Sequence, residues 1–138
     1  MHYHVWFGTK YRRRILLGEV GAFVQLAFDQ IASQHGLSLI ERAAYVNHAH
    51  LLIRVADRSA LSKAIQLLKG GSAYKTFRRY RELKLDGRTN HLWRQGYGFR
   101  PLSRSQIKTV KQYIRTQKDR PEAFDAPYVT KRTPVSPD

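Results

Sequence analysis

Apolar residues recur along this chain with two different periods, and the changes of period divide it into elements. Tyr3 to Thr9 is rich in aromatic and β-branched residues, which predicts a first strand. Val20, Phe23, Val24, Ala27 and Ile31 recur at helical spacing and predict a helix over Glu19–Gln34, closed by Gly36. Leu37–Tyr45 and His48–Val55 read as a second and a third strand, with Asn47 in a tight turn between them. Ser59 can cap a second helix carrying Leu61, Ile65 and Leu68, which Gly70-Gly71 is expected to interrupt or bend. Arg81–Asn90 reads as a charged loop and Trp93–Leu102 as a fourth extended segment. Ser103-Arg-Ser-Gln106 is a capping-box pattern opening a third helix to about Lys118, before Pro121. Residues 1–120 then form a single domain, followed by a Pro-containing tail, 121–138.

The order β-α-β-β-α-β-α is that of an α+β, ferredoxin-like split βαβ sandwich. It has an antiparallel sheet, two helices on one face and an extra C-terminal helix. In such a sheet the third strand is central and antiparallel to the first. His48 and His50 open the third strand and lie near the end of the first. His2 and His4 are predicted at the opposite end, ~10–15 Å away at ~3.3 Å per residue.

Charge changes the picture. Lys plus Arg number 25 and Asp plus Glu 10, a net charge of +15. That favours a polyanionic partner, with membrane and acidic protein surfaces as competitors. No apolar run approaches the ~18 residues of a spanning helix, and the N-terminus lacks a signal-peptide pattern. There is no cysteine, which excludes disulfides and thiolate metal sites and suits a cytoplasmic protein. A metal would have to be held by His, carboxylate, amide or water, which fits Mg²⁺ or Mn²⁺ better than structural zinc.

Side chains alternate along a strand, so His48 and His50 share a face with Leu52 and Arg54. Two adjacent imidazoles can hold one metal ion, and a metal ion can open a phosphodiester. The third helix carries an apolar stripe of Ile107, Val110 and Ile114. Tyr113 and Gln117, at i and i+4, project along one edge of it. A phenol can attack phosphorus to give a covalent phosphotyrosine that conserves the bond for rejoining. The Gln117 amide oxygen can add a neutral ligand. Lys10, Arg12, Arg13 and Arg14 after the first strand, and Lys69, Lys75, Arg78 and Arg79 on the second helix, are candidate phosphate contacts. Tyr97 and Phe99 could stack on unpaired bases or pack in the core.

Several motifs occur in a definite order: Val5-Trp-Phe-Gly-Thr-Lys-Tyr-Arg-Arg-Arg14, Asn47-His-Ala-His-Leu-Leu-Ile53, Leu68-Lys-Gly-Gly-Ser72, Leu92-Trp93 with Gly96-Tyr97, and Tyr113-Ile-Arg-Thr-Gln117. Together they resemble the small single-tyrosine HUH transposases of bacterial and archaeal insertion sequences, the IS200-like family, over roughly residues 3–118. The resemblance implies a ferredoxin-like homodimer that cuts and rejoins single-stranded DNA at element ends folded into imperfect hairpins. It implies Tyr113 as nucleophile, forming a 5′-phosphotyrosine, and His48, His50 and Gln117 as ligands of a divalent Mg or Mn. It leaves open whether Tyr113 serves its own subunit or its partner. The chain departs from the family's usual Met-Pro-Asp before the first histidine, having Tyr45-Val46-Asn47.

Two other readings share parts of this pattern. A domesticated, repeat-palindrome-associated relative or a nickase would keep the same centre. A non-catalytic nucleic-acid binder of the RNA-recognition type would share the strand order but need paired aromatics on the central strands. The third strand instead places His48, His50 and Leu52 on one face.

Overall fold

A computed structural model describes residues 1–87 and 89–116, without the side chains of 85–87. Its elements are β1 (His2–Gly8), α1 (Gly18–His35), β2 (Ser38–Tyr45), β3 (His48–Arg54), α2 (Arg58–Arg79), α3 (Arg81–Gly87), β4 (Gly98–Leu102) and α4 (Arg104–Arg115), with a short 3₁₀ turn at Lys10–Arg12. The strands form one antiparallel sheet in the order β2-β3-β1-β4. This is the ferredoxin-like arrangement that the element order predicts, with β1 and β3 in the centre.

The two faces of the sheet bury different chemistry. Tyr3, Val5 and Phe7 of β1 and Ala49, Leu51 and Ile53 of β3 share a core with Val24, Phe28, Ile31, Leu61, Ile65 and Leu68 from α1 and α2. This is the main apolar core, and its burial drives folding. The alternate residues, among them His4, Trp6, His48, His50 and Leu52, lie on the other face. There Val110, Tyr113 and Ile114 of α4 pack on Leu52 and Ala43. The helix sits across β2, β3 and β4 with its apolar stripe down.

Local chemistry explains where elements start and stop. Gly36 ends α1 in the left-handed region at φ +65°, as its position predicts. The Ser103 and Gln106 capping box opens α4. Three expectations need correction. Asp57, not Ser59, caps α2, its carboxylate accepting the Ala60 N–H at 2.8 Å. The Gly70-Gly71 pair does not break α2, which runs unbroken to Arg79. Gly71 instead lets the helix approach α1: a Cβ there would lie 2.6 Å from the Ile31 Cδ1. Arg81–Gly87 is helical rather than looped, continuing from the α2 cap at Tyr80.

The fourth strand is also shorter than expected. Trp93 makes only a single bridge to Thr9, and its indole donates to the Ser72 hydroxyl at 2.9 Å. Gly96, at φ +86°, then turns the chain into β4. At its C-terminal end α4 stops at Arg115, and the Thr116 hydroxyl donates to the carbonyls of Gln112 and Tyr113. Gln117 and the 121–138 tail lie outside the described residues.

Two glycines predict opposite responses to a methyl group. A Cβ at Gly70 meets nothing within 4 Å, so Gly70→Ala should raise stability by about 0.5–1 kcal/mol through helix propensity. A Cβ at Gly98 would lie 2.2 Å from the Trp6 Nε1. Gly98→Ala must therefore displace a rigid ring and should cost about 1–3 kcal/mol. Denaturant midpoints of the two variants, moving in opposite directions from that of the unmutated protein, check the pair.

Candidate active site

The site is built on the two central strands. In the antiparallel β1–β3 register Gly8 faces His48, Trp6 faces His50 and His4 faces Leu52. His4 is thus a diagonal neighbour of His50 on the same face, a separation that aromatic side chains bridge. The His4 Nε2 lies 2.9 Å from the His50 Nδ1, with the two rings stacked 5.1 Å apart. The expectation that both residues of the first His-x-His pair lie far from the second therefore fails for His4. It holds for His2, which faces Arg54 at the other end of the strand. His4 is only two positions from Trp6, the residue that faces His50, so it lies within reach of that ring.

The turn before β3 fixes the other histidine. Val46 has φ +61°, an unfavourable value for a β-branched residue. Paired backbone bonds with Leu16, at 2.8 and 2.9 Å, hold it there. The Asn47 carbonyl accepts the Thr9 N–H at 2.9 Å. With the turn pinned on both sides, the Asn47 Oδ1 sits 3.0 Å from the His48 Nδ1. The asparagine in place of the family's usual aspartate thus still provides an oxygen partner for His48.

Tyr113 completes the cluster from α4. Its ring meets His50 edge-on at 5.7 Å and His4 at 6.1 Å. The same apolar stripe that seats the helix therefore brings the phenol to the histidines of its own chain. Trp6 covers the other flank of His4, with ring centroids 5.1 Å apart, and lies over Gly98.

This face is dry. His4, His48 and His50 are all buried. Burial pushes the His50 imidazole well below its ordinary range, with further lowering from His4 and His48. Burial, with Arg100 nearby, takes His4 down to about 3. Arg100 faces His4 in the β1–β4 register.

Among the described residues no group of three or more His, Cys, Asp or Glu forms a metal cluster. The donor set nevertheless suits a divalent ion bound by nitrogen and neutral oxygen. His48 and His50 lie on one face, each engaged through Nδ1, so Nε2 is the atom of each ring that could ligate a metal. Gln117, the expected third ligand, lies outside the described residues.

The basic residues divide by position. Lys10, Arg12, Arg13 and Arg14 leave the sheet at the His48 end, as expected. Arg78 and Arg79 are exposed near the end of α2, and Lys75 is half-buried. Lys69 is buried. Its ammonium donates to the carbonyls of Arg94 and Gly96 at 2.8 and 2.6 Å, so it fastens the segment leading into β4. It also floors a cleft of about 490 Å³ whose rim includes Lys10, Trp93 and Arg94. Trp93, Tyr97 and Phe99 belong to the main core, which settles the alternative for Tyr97 and Phe99 in favour of packing.

Comparison with known proteins agrees with this arrangement. The family model described as "Transposase IS200 like" matches residues 1–117. The ISDra2 transposase TnpA of Deinococcus radiodurans is 31% identical over 120 residues, covering 87% of this chain and 86% of that one. The IS200 transposase of Salmonella typhimurium is 25% identical, covering 83% and 75%. A solved putative transposase from D. radiodurans superposes with a TM-score of 0.68 at 29% identity, covering 85% of this chain and 90% of that one. A REP-associated tyrosine transposase bound to a REP hairpin shares the fold, with a TM-score of 0.59 at 12% identity, covering 93% and 69%.

The buried histidines predict acid sensitivity. In the unfolded chain a histidine takes up its proton near pH 6.5. His4 and His50 refuse it in the folded protein until far lower pH. Above pH 6.5 both states are neutral and the term vanishes. As pH falls from 6.5 toward 3, the unfolded state binds more protons. Stability should drop by up to about 1.4 kcal/mol per pH unit for each such histidine. Denaturant midpoints in EDTA between pH 7 and 4 check this, and His4→Phe should give a shallower slope.

Proposed function

Because this chain belongs to the IS200-like transposase family, we propose that it cleaves and rejoins single-stranded DNA at hairpin-bearing element ends through a 5′-phosphotyrosine on Tyr113. The observation that carries this reading is the Tyr113 ring lying edge-on against His50, 5.7 Å away, on a face shared with His48. A phenol and two imidazoles from distant parts of the sequence meet at one place, as a nucleophile beside two nitrogen ligands would have to. The hairpin bound to the solved REP-associated relative, together with a net charge of +15, supports a structured DNA strand as substrate.

The residues have definite roles in this proposal. The Tyr113 Oη attacks the scissile phosphorus and forms a Tyr–O–P bond, its proton leaving to solvent. The P–O3′ bond breaks, and the departing oxygen takes up a proton as a 3′-hydroxyl. Rejoining reverses the step, with a 3′-hydroxyl of another strand displacing the tyrosine. His48 and His50, with Gln117, would hold a divalent Mg or Mn, which supplies charge stabilisation at the phosphate. Lys10, Arg12, Arg13 and Arg14 would guide the backbone at the His48 end, with Lys75, Arg78 and Arg79 contacting more distant phosphates. The protein would act as a homodimer in the cytoplasm. No helix among the described residues is long and apolar enough to cross a membrane.

The test is incubation with Mg²⁺ or Mn²⁺ and single-stranded DNA from the ends of its own element. The unmutated protein should give a denaturation-resistant adduct at the 5′ end of the fragment downstream of the cut. Tyr113→Phe should give none while still shifting the hairpin in a gel. His50→Ala should reduce adduct by about 10²-fold or more. Adducts that persist in Tyr113→Phe would assign the nucleophile elsewhere.

A further inference from the structure

The contact between His4 and His50 has a chemical direction. A 2.9 Å approach between two ring nitrogens requires that one donate and the other accept. A histidine that ligates a metal must keep the lone pair on its metal-facing nitrogen and carry its proton on the other. The His50 nitrogen facing His4 is Nδ1. We propose that His4 is a positioning residue: its Nε2 accepts the Nδ1–H of His50, fixing that tautomer and presenting the His50 Nε2 as the ligating atom. This inference rests on the metal-site reading above and extends it to a residue outside His48-Ala49-His50.

Three further observations support the assignment. First, His48 is held in the same way, its Nδ1 lying 3.0 Å from the Asn47 Oδ1, an atom that can only accept. Both histidines of the motif therefore have a neighbour at Nδ1, one an amide oxygen and the other an imidazole. Second, His4 is fully buried on a central strand, between Trp6 at 5.1 Å and Tyr113 at 6.1 Å. Its ring is held on several sides, as an orienting group must be. Third, His4 touches both His50 and Tyr113, so one ring sets the relative placement of a ligand and the nucleophile. A neutral acceptor also adds no negative charge here. The bound cation would keep more of its field for the phosphate than it would beside a carboxylate.

Two measurements on the full-length protein test this. The first is ¹⁵N–¹H long-range correlation of the imidazoles in metal-free protein. His50 should carry its proton on Nδ1 in the unmutated chain. His4→Phe should lose that preference, and His4→Gln, whose amide oxygen can accept, should restore it. The second is calorimetric titration with Mn²⁺ without DNA. His4→Phe should bind about 10- to 100-fold more weakly, with His4→Gln recovering most of the loss. An Nε2–H tautomer at His50 in the unmutated protein overturns the proposal, whether or not His4→Phe folds. So does a folded His4→Phe with unchanged tautomer and unchanged Mn²⁺ affinity. A protein with the expected tautomer that binds no Mn²⁺ supports the His4–His50 assignment and overturns the metal reading on which the ligand role rests.

Discussion

The register of β1 against β3 is the constraint on which the site depends. Gly8 faces His48, and the Thr9 N–H is bonded to the Asn47 carbonyl at the same end. A slip of one residue would turn His4 and Trp6 toward the apolar core and expose Tyr3, Val5 and Phe7. A slip of two would keep the faces but separate His4 from His50. The hairpin turn secures this register from outside the sheet, because Leu16 pairs with Val46 and holds a backbone conformation that valine disfavours. The strain sits where it aims Asn47 and His48.

Around that register the sheet divides its work. One face is an ordinary apolar core, closed by α1 and α2. The other buries three histidines under a short amphipathic helix. Burying polar rings is costly unless they are hydrogen-bonded. Here the histidines partner one another and Asn47. The same burial keeps the His4 and His50 rings neutral, and neutral is the protonation state a nitrogen ligand needs. Packing and chemistry therefore share side chains: Tyr113 is both a core residue under α4 and the proposed nucleophile.

Much of this was legible in the chain. Alternation and helical spacing predict the strands, the two long helices and their order, and so the ferredoxin-like sheet with β1 and β3 central. Alternation also puts His48 and His50 on one face. The motif resemblance points to Tyr113, and comparison with known transposases establishes the family. The misjudged details were those where a local signal had a tertiary purpose. Gly70-Gly71 looks like a break, but Gly71 serves the close approach of α1. Lys69 looks like a phosphate contact, but its charge is bonded to two carbonyls of the segment before β4. Trp93 looks like the start of a strand, but its indole is drawn to Ser72.

By itself the sequence determined which residues alternate, which helix faces are apolar, and which side chains can do phosphodiester chemistry. These are properties of neighbours along one chain, set by periods of about 2 and 3.6 residues. Only the tertiary structure decided that His4 joins His50, that Asn47 turns its oxygen to His48, and that Tyr113 lies against its own chain's histidines. Those contacts join residues some 46 or more positions apart, or depend on the exact aim of a turn. No periodicity encodes the offset between two strands or the seat of a helix on a sheet. The packing of the whole core selects them.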